Sequence, residues 1–139
     1  MVRDDITVLA GSSPWCQDGE LPSSGLIQAT NGDLYGTTNA GGAGPCNGGC
    51  GTIFRLSVGL GPFVETQPSS GNVGAAVNIL GTDLTGATSV SFDGTAAVFT
   101  VVGHSLITAT VPAGASSGEL QVVTPGGTLS SNVPFLVVP

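Results

Sequence analysis

Lysine is absent from this chain, and Arg3 and Arg55 are the only arginines among its 139 residues. Asp and Glu together number nine, so the formal net charge is −7 at neutral pH. Phosphate backbones and anionic lipid repel such a chain, which disfavours nucleic-acid and membrane-surface binding. No apolar run approaches membrane-spanning length, so no membrane insertion is expected. The opening Met1-Val2-Arg3-Asp4-Asp5 has no basic region followed by an apolar stretch, so it does not read as a signal peptide. Charged residues make up only 8% and glycine occurs 23 times, a mixture that suits short strands and tight turns and gives no support for long helices. Apolar residues still reach 40%, enough for a core, and the length allows one medium domain or two small ones.

Cysteine is scarce and odd in number: Cys16, Cys46 and Cys50. The simplest reading is one disulfide and one free thiol. Cys46 and Cys50 are expected to pair, because they are close in sequence and the glycines around them let the backbone bring the two Cα atoms into bonding range. Cys16 is then free. A zinc site is the sharper alternative, but it needs Cys16 and His104 to converge on Cys46 and Cys50 from distant segments.

What the sequence does contain is alternation. In Leu106 to Val111, Ile107, Ala109 and Val111 share one face; in Glu119 to Val123, Leu120 and Val122 do the same. Period-two patterning marks strands with one buried and one wet face. Pro112-Ala113-Gly114 and Ser116-Ser117-Gly118 supply the bend between them.

Residues 1–58 offer four strand-like pieces: Ile6 to Leu9, Gly25 to Thr30, Asp33 to Thr38 and Thr52 to Leu56. Asn31-Gly32 between the second and third is a strong signal for a type I′ hairpin turn. Asn39 to Gly51, rich in glycine, reads as a surface loop. In wording and order these pieces resemble one unit of a glycine-rich tandem repeat found in large exported bacterial proteins, whose units look like blades of a β-propeller. The resemblance implies a small four-stranded antiparallel blade-like sheet. One blade alone leaves apolar faces uncovered. The expectation is that the chain was cut from a longer exported protein, continuing into further repeats or domains, or that the blade leans on the segment that follows.

A Gly/Pro linker, Ser57 to Pro62, separates this segment from residues 63–139. There, short strands follow one another every few residues: Phe63 to Thr66, Ala76 to Gly81, Ser89 to Phe92, Ala97 to Val101, the two strands above, and Pro134 to Val138. Asp93-Gly94 and Pro125-Gly126-Gly127 mark turns. Such punctuation predicts an all-β sandwich or barrel. A sandwich core would take Val77, Ile79, Val90, Phe92, Phe99, Val101, Ile107, Ala109, Val111, Leu120, Val122, Phe135 and Val137. The segment resembles the IPT/TIG immunoglobulin-like domains through Pro68-Ser69-Ser70-Gly71, Val77 to Leu84, Val90 to Thr95, Ile107 to Gly114 and Val122 to Gly127. The resemblance implies an Ig-like β-sandwich without an inter-sheet disulfide, used in surface receptors, bacterial surface proteins and accessory modules of polysaccharide-active enzymes. Its DNA-binding members use basic loops; no Lys or Arg lies beyond Arg55, so that role does not carry over.

Chemistry is sparse. His104, in Val102-Gly103-His104-Ser105, reads as a turn residue with no acidic orienter or nucleophile indicated nearby. Asp18, Glu20, Asp33, Asp83 and Asp93 are scattered, which turn chemistry explains. Calcium-loop spacing is missing. Tyr35 and Trp15 could make a sugar platform, although packing is the commoner use of such residues. Gly42 to Asn47 falls short of a dinucleotide fingerprint. The expectation is therefore a non-enzyme with no catalytic, cofactor or metal site: an extracellular or cell-surface structural or adhesion module with a protein or glycan ligand. The alternative is an accessory, carbohydrate-binding module of a polysaccharide-active enzyme.

Overall fold

The computed structural model describes residues 19–42 and 50–139 and divides the chain into two compact units, Met1–Leu60 and Gly61–Pro139. Every regular element among the described residues is a strand.

In the first unit, β1 (Glu20–Pro22), β2 (Ile27–Gln28), β3 (Leu34–Ala40) and β4 (Ile53–Leu56) make a four-stranded antiparallel sheet. β3 is its centre. Glu20 and Pro22 of β1 pair with Ala40 and Thr38, while Ile27 and Gln28 of β2 pair with Tyr35 and Leu34. The two short strands thus lie in line along one edge of β3, and β4 runs along the other. The sequence pattern does not predict β1, and the expected strand Ile6 to Leu9 lies outside the described residues. The Asn31-Gly32 turn also departs from expectation. Gly32 has positive φ but Asn31 does not, and the Gly32 N–H donates to the Ala29 carbonyl at 2.9 Å. This is a three-residue loop closed by a left-handed glycine, not a two-residue type I′ turn. The cause is local: the Asn31 side-chain oxygen accepts from the Asp33 N–H at 3.0 Å, an Asx turn that holds Asn31 right-handed.

One face of this sheet carries Leu34, Gly36, Phe54 and Leu56, the other Ile27, Tyr35, Ile53 and Arg55. Gly36 lies opposite Phe54, and a Cβ there would come within 2.5 Å of the ring and 2.9 Å of Leu26 Cδ2. Only glycine lets the ring lie across the strand.

The second unit is a sandwich. One sheet has the order β10 (Phe99–Gly103), β11 (Leu106–Thr110), β7 (Ala76–Leu80), β5 (Glu65–Gln67); the other has β13 (Gly127–Ser130), β12 (Leu120–Thr124), β8 (Ser89–Phe92), β9 (Thr95–Ala96). Both are antiparallel throughout. A parallel pair, β6 (Ser70–Asn72) with β14 (Leu136–Val138), completes the fold. Asp93 and Gly94 both have positive φ, which makes the β8–β9 hairpin the type I′ turn its sequence signals. The chain changes sheets just after it: the Ala97 N–H donates to Val90, whereas the Val98 carbonyl accepts from Thr110 in the other sheet.

Alternation places the core. Val101, Ile107, Ile79 and Thr66 form one inward row across the first sheet; Leu129, Val122 and Val90 form one across the second. Phe92 and Phe135 meet edge to face between them, centroids 5.0 Å apart. Phe99, Val101 and Val137, expected as core, are only partly buried. Phe99 and Val101 lie on a strand with one neighbour, and Val137 belongs to a two-stranded piece, so each has one flank open. Val64, Leu84 and Leu129 are buried without having been expected. Leu84 sits in a loop, and Val64 and Leu129 flank or occupy stretches too short to display a period.

Candidate interaction surface

The residues singled out for chemistry do not assemble. His104 occupies the β10–β11 turn as expected, but an acidic neighbour is present after all: its Nε2 lies 3.2 Å from Asp83 Oδ1. Asp83 is distant in sequence, and the loop after β7 delivers it, the Leu84 N–H donating to the His104 carbonyl at 2.8 Å. Both side chains are exposed, so the imidazole and its carboxylate neighbour stand in solvent with no enclosed site around them.

Asp33 forms an ion pair with Arg55 at 3.5 Å and accepts from Asn31 Nδ2 at 3.1 Å; the same amide reaches the Tyr35 hydroxyl at 3.3 Å. Tyr35 is half-buried within β3 and tied into this network. Asp93 turns its carboxylate to the Ser116 hydroxyl at 2.6 Å and packs against the backbone of Gly118. Glu20 lies in β1. Asp18 and Trp15 lie outside the described residues. Cys50 is disulfide-bonded, and its sulfur is therefore not a zinc thiolate; Cys16 and Cys46, the two candidate partners, lie outside the described residues. Among the described residues no group of three or more His, Cys, Asp or Glu side chains is placed to hold a metal.

A hollow of about 340 Å³ beside β5 is lined by Glu65, Thr66, Gln67, Pro68, Ser69 and Val133. Glu65 is its sole ionisable lining group, with no acid–base partner there.

The most ordered surface feature is the outer face of the sheet β10-β11-β7-β5. Register sets Thr100 opposite Thr108, Thr108 opposite Asn78, and Asn78 opposite Gln67. Four neutral hydrogen-bonding side chains therefore cross the sheet in one rank, at the strand spacing of about 4.8 Å. The Thr108 hydroxyl lies 3.4 Å from Asn78 Oδ1. Leu106, Leu80 and Glu65 form the neighbouring rank. This rank was not singled out from sequence: each strand shows that a polar residue faces outward, but only the register between strands shows which four align.

No curated protein matches the chain. The IPT/TIG domain matches residues 63–137, which is more than half the chain and nearly the whole sandwich, and the chain belongs to the IPT/TIG domain family.

Proposed function

We propose that the chain is a non-catalytic structural or adhesion module of a larger exported bacterial protein, acting by surface contact at or outside the cell surface. The IPT/TIG family comprises non-catalytic Ig-like modules of adhesion and interaction, and such domains occur in extracellular and surface proteins. The observation that carries the reading is the neutral rank Thr100, Thr108, Asn78 and Gln67 on the outer sheet face. A contact made of uncharged hydroxyls and amides is wet and weak for each copy, and many copies in one long chain raise it to useful strength. The first unit, residues 1–58 in this reading, is one unit of a propeller-like tandem repeat preceding the sandwich of residues 63–139. The consecutive antiparallel pairing β2-β3-β4 supports that assignment.

Hydroxyls and amides in a rank suit a glycan as well as a protein, which keeps a second reading in play: an accessory, carbohydrate-binding module of a polysaccharide-active enzyme. Glycan arrays and bacterial or host surface proteins, probed with the purified chain, separate the two. Binding to either should survive added salt, because no charge pair carries it. Asn78→Arg should abolish it while leaving thermal unfolding unchanged. Turnover of a glycoside or ester that co-purifies with the chain and is lost in His104→Ala would overturn the non-catalytic reading.

A further inference from the structure

We propose that β10 is a self-pairing edge that joins two copies of the chain across a two-fold axis. Among the described residues β10 has one partner, β11, and its other side pairs with nothing. Edge strands of soluble proteins are commonly guarded by lysine, proline or inward-pointing charge. This one carries none of these. No Asp, Glu, Lys or Arg lies between Asp93 and Glu119, in a chain of net charge −7. Val98 and Val102 stand out from the strand, 81% and 60% exposed. Along the strand a second copy meets no charged side chain of β10; the exposed Asp83 carboxylate stands beside His104 in the turn past the strand's end.

The backbone phase specifies the register. Val98 and Thr110 lie opposite each other, and the Thr110 N–H donates to the Val98 carbonyl at 3.0 Å. Opposed residues joined by hydrogen bonds alternate with unjoined ones, so Val98 and Thr100 direct their backbone groups at β11, while Phe99 and Val101 direct theirs outward. An antiparallel copy centred on Thr100 puts Phe99 opposite the second copy's Val101, in the position that exchanges both N–H···O bonds, and does so twice by symmetry. The same register sets Val98 against the second copy's Val102 on the outer face. It sets the half-buried Phe99 against Val101 on the core side, closing the flank that leaves both partly exposed. The bulge in β10 falls at Val102, between Val101 and Gly103, so it bends the strand at each end of the pairing, while the two Phe99–Val101 positions that exchange N–H···O bonds lie inside it. Such pairing uses up the edge in each copy, so it closes at two and does not polymerise. It stands whatever ligand the module contacts.

Sedimentation velocity on the full chain across a concentration series tests this. The native chain should dimerise. Thr100→Lys and Thr100→Asp each place like charges opposite each other at the axis, and each should weaken the dimer by roughly tenfold or more. Mixing the two variants should restore it as a heterodimer. Asn78→Arg, on the same face but away from the edge, should leave it intact. A native chain that stays monomeric at millimolar concentration would overturn the proposal. So would a dimer that both Thr100 variants leave unchanged, or one that the mixture fails to restore. Thermal unfolding of each variant separates loss of pairing from loss of fold.

Discussion

The two units use strands of similar length yet differ in what those strands cover. In the sandwich, Phe92, Phe135, Ile79, Leu84, Ile107 and Leu120 are fully buried between two sheets. In the first unit the buried positions among the described residues are Gly32, Gly36 and Gly41, while Leu21, Leu26, Ile27 and Ile53 stand exposed. Two opposed faces exclude water from each other's side chains; the described residues of the first unit form one sheet, with no second sheet among them to lay against it. The first unit relies instead on local devices: the Asn31 turn, the Asp33–Arg55 pair and the Ser24, Thr37 and Thr38 hydroxyl bonds. Each such bond contributes about 0.5–1.5 kcal/mol net, against about 1.5–3 kcal/mol for burying one large apolar side chain. Core burial decides which unit can stand alone.

The largest expected effect follows directly. Residues 61–139 expressed alone should unfold cooperatively with a fixed near-UV dichroism spectrum; residues 1–60 alone should show neither. A cooperative thermal transition in the first fragment would break the comparison.

Next comes the core itself. Phe135→Ala removes one ring of the edge-to-face pair and should cost about 3–5 kcal/mol, a large part of a typical domain's stability. Phe54→Ala, where the ring lies over Gly36 on an open sheet, should leave the melting of the sandwich where it was. Equal losses from the two changes, measured by denaturant titration, would mean the units share one cooperative core.

Much of this was legible beforehand, and the reason differs by region. Alternation tells inside from outside in β7, β11 and β12, and Val77, Ile79, Ile107, Ala109, Leu120 and Val122 are buried as it predicts, although Leu80, Leu106 and Val123 interrupt the pattern. Short or irregular stretches hid Val64, Leu84 and Leu129, because burial there comes from tertiary contact and leaves no period to read. The same limit hid the surface. The rank across Thr100, Thr108, Asn78 and Gln67 is a property of register, and the His104–Asp83 contact a property of two loops meeting. In the first unit, Asn31-Gly32 has the composition of a type I′ turn, yet the Asn31 side chain reaching Asp33 outweighs that preference.

A middle-sized effect tests a close approach in the sandwich. A Cβ at Gly118 would come within 2.5 Å of Asp93 Oδ1 and 2.9 Å of its Cβ. Gly118→Ala should therefore cost about 1–3 kcal/mol as overpacking. Asp93 has positive φ, a conformation glycine adopts freely, so adding Asp93→Gly should recover most of the loss. No recovery in the double variant would show that backbone distortion, and not the carboxylate, sets the cost.

The smallest effect separates two side-chain contacts, Asp33 with Arg55 and Asp83 with His104. Asp33 is only 15% exposed and also accepts from Asn31, so Arg55 faces a carboxylate held within a network. Asp83 is 82% exposed opposite His104, and water screens that pair on all sides. Exposed pairs contribute a median of about 0–1 kcal/mol. His104→Ala, Asp83→Ala and the double variant should give a coupling near the bottom of that range, read from melting of the sandwich. Asp33→Asn removes the charge but keeps the side chain's shape, and should open the hairpin around it measurably. Faster hydrogen exchange at the Ala29 and Gly32 amides, which close that loop on Asp33 and Ala29, is the readout. Unchanged exchange there, or a His104–Asp83 coupling well above 1 kcal/mol, would reverse the ranking: the first unit would then not be the one that depends on its polar contacts.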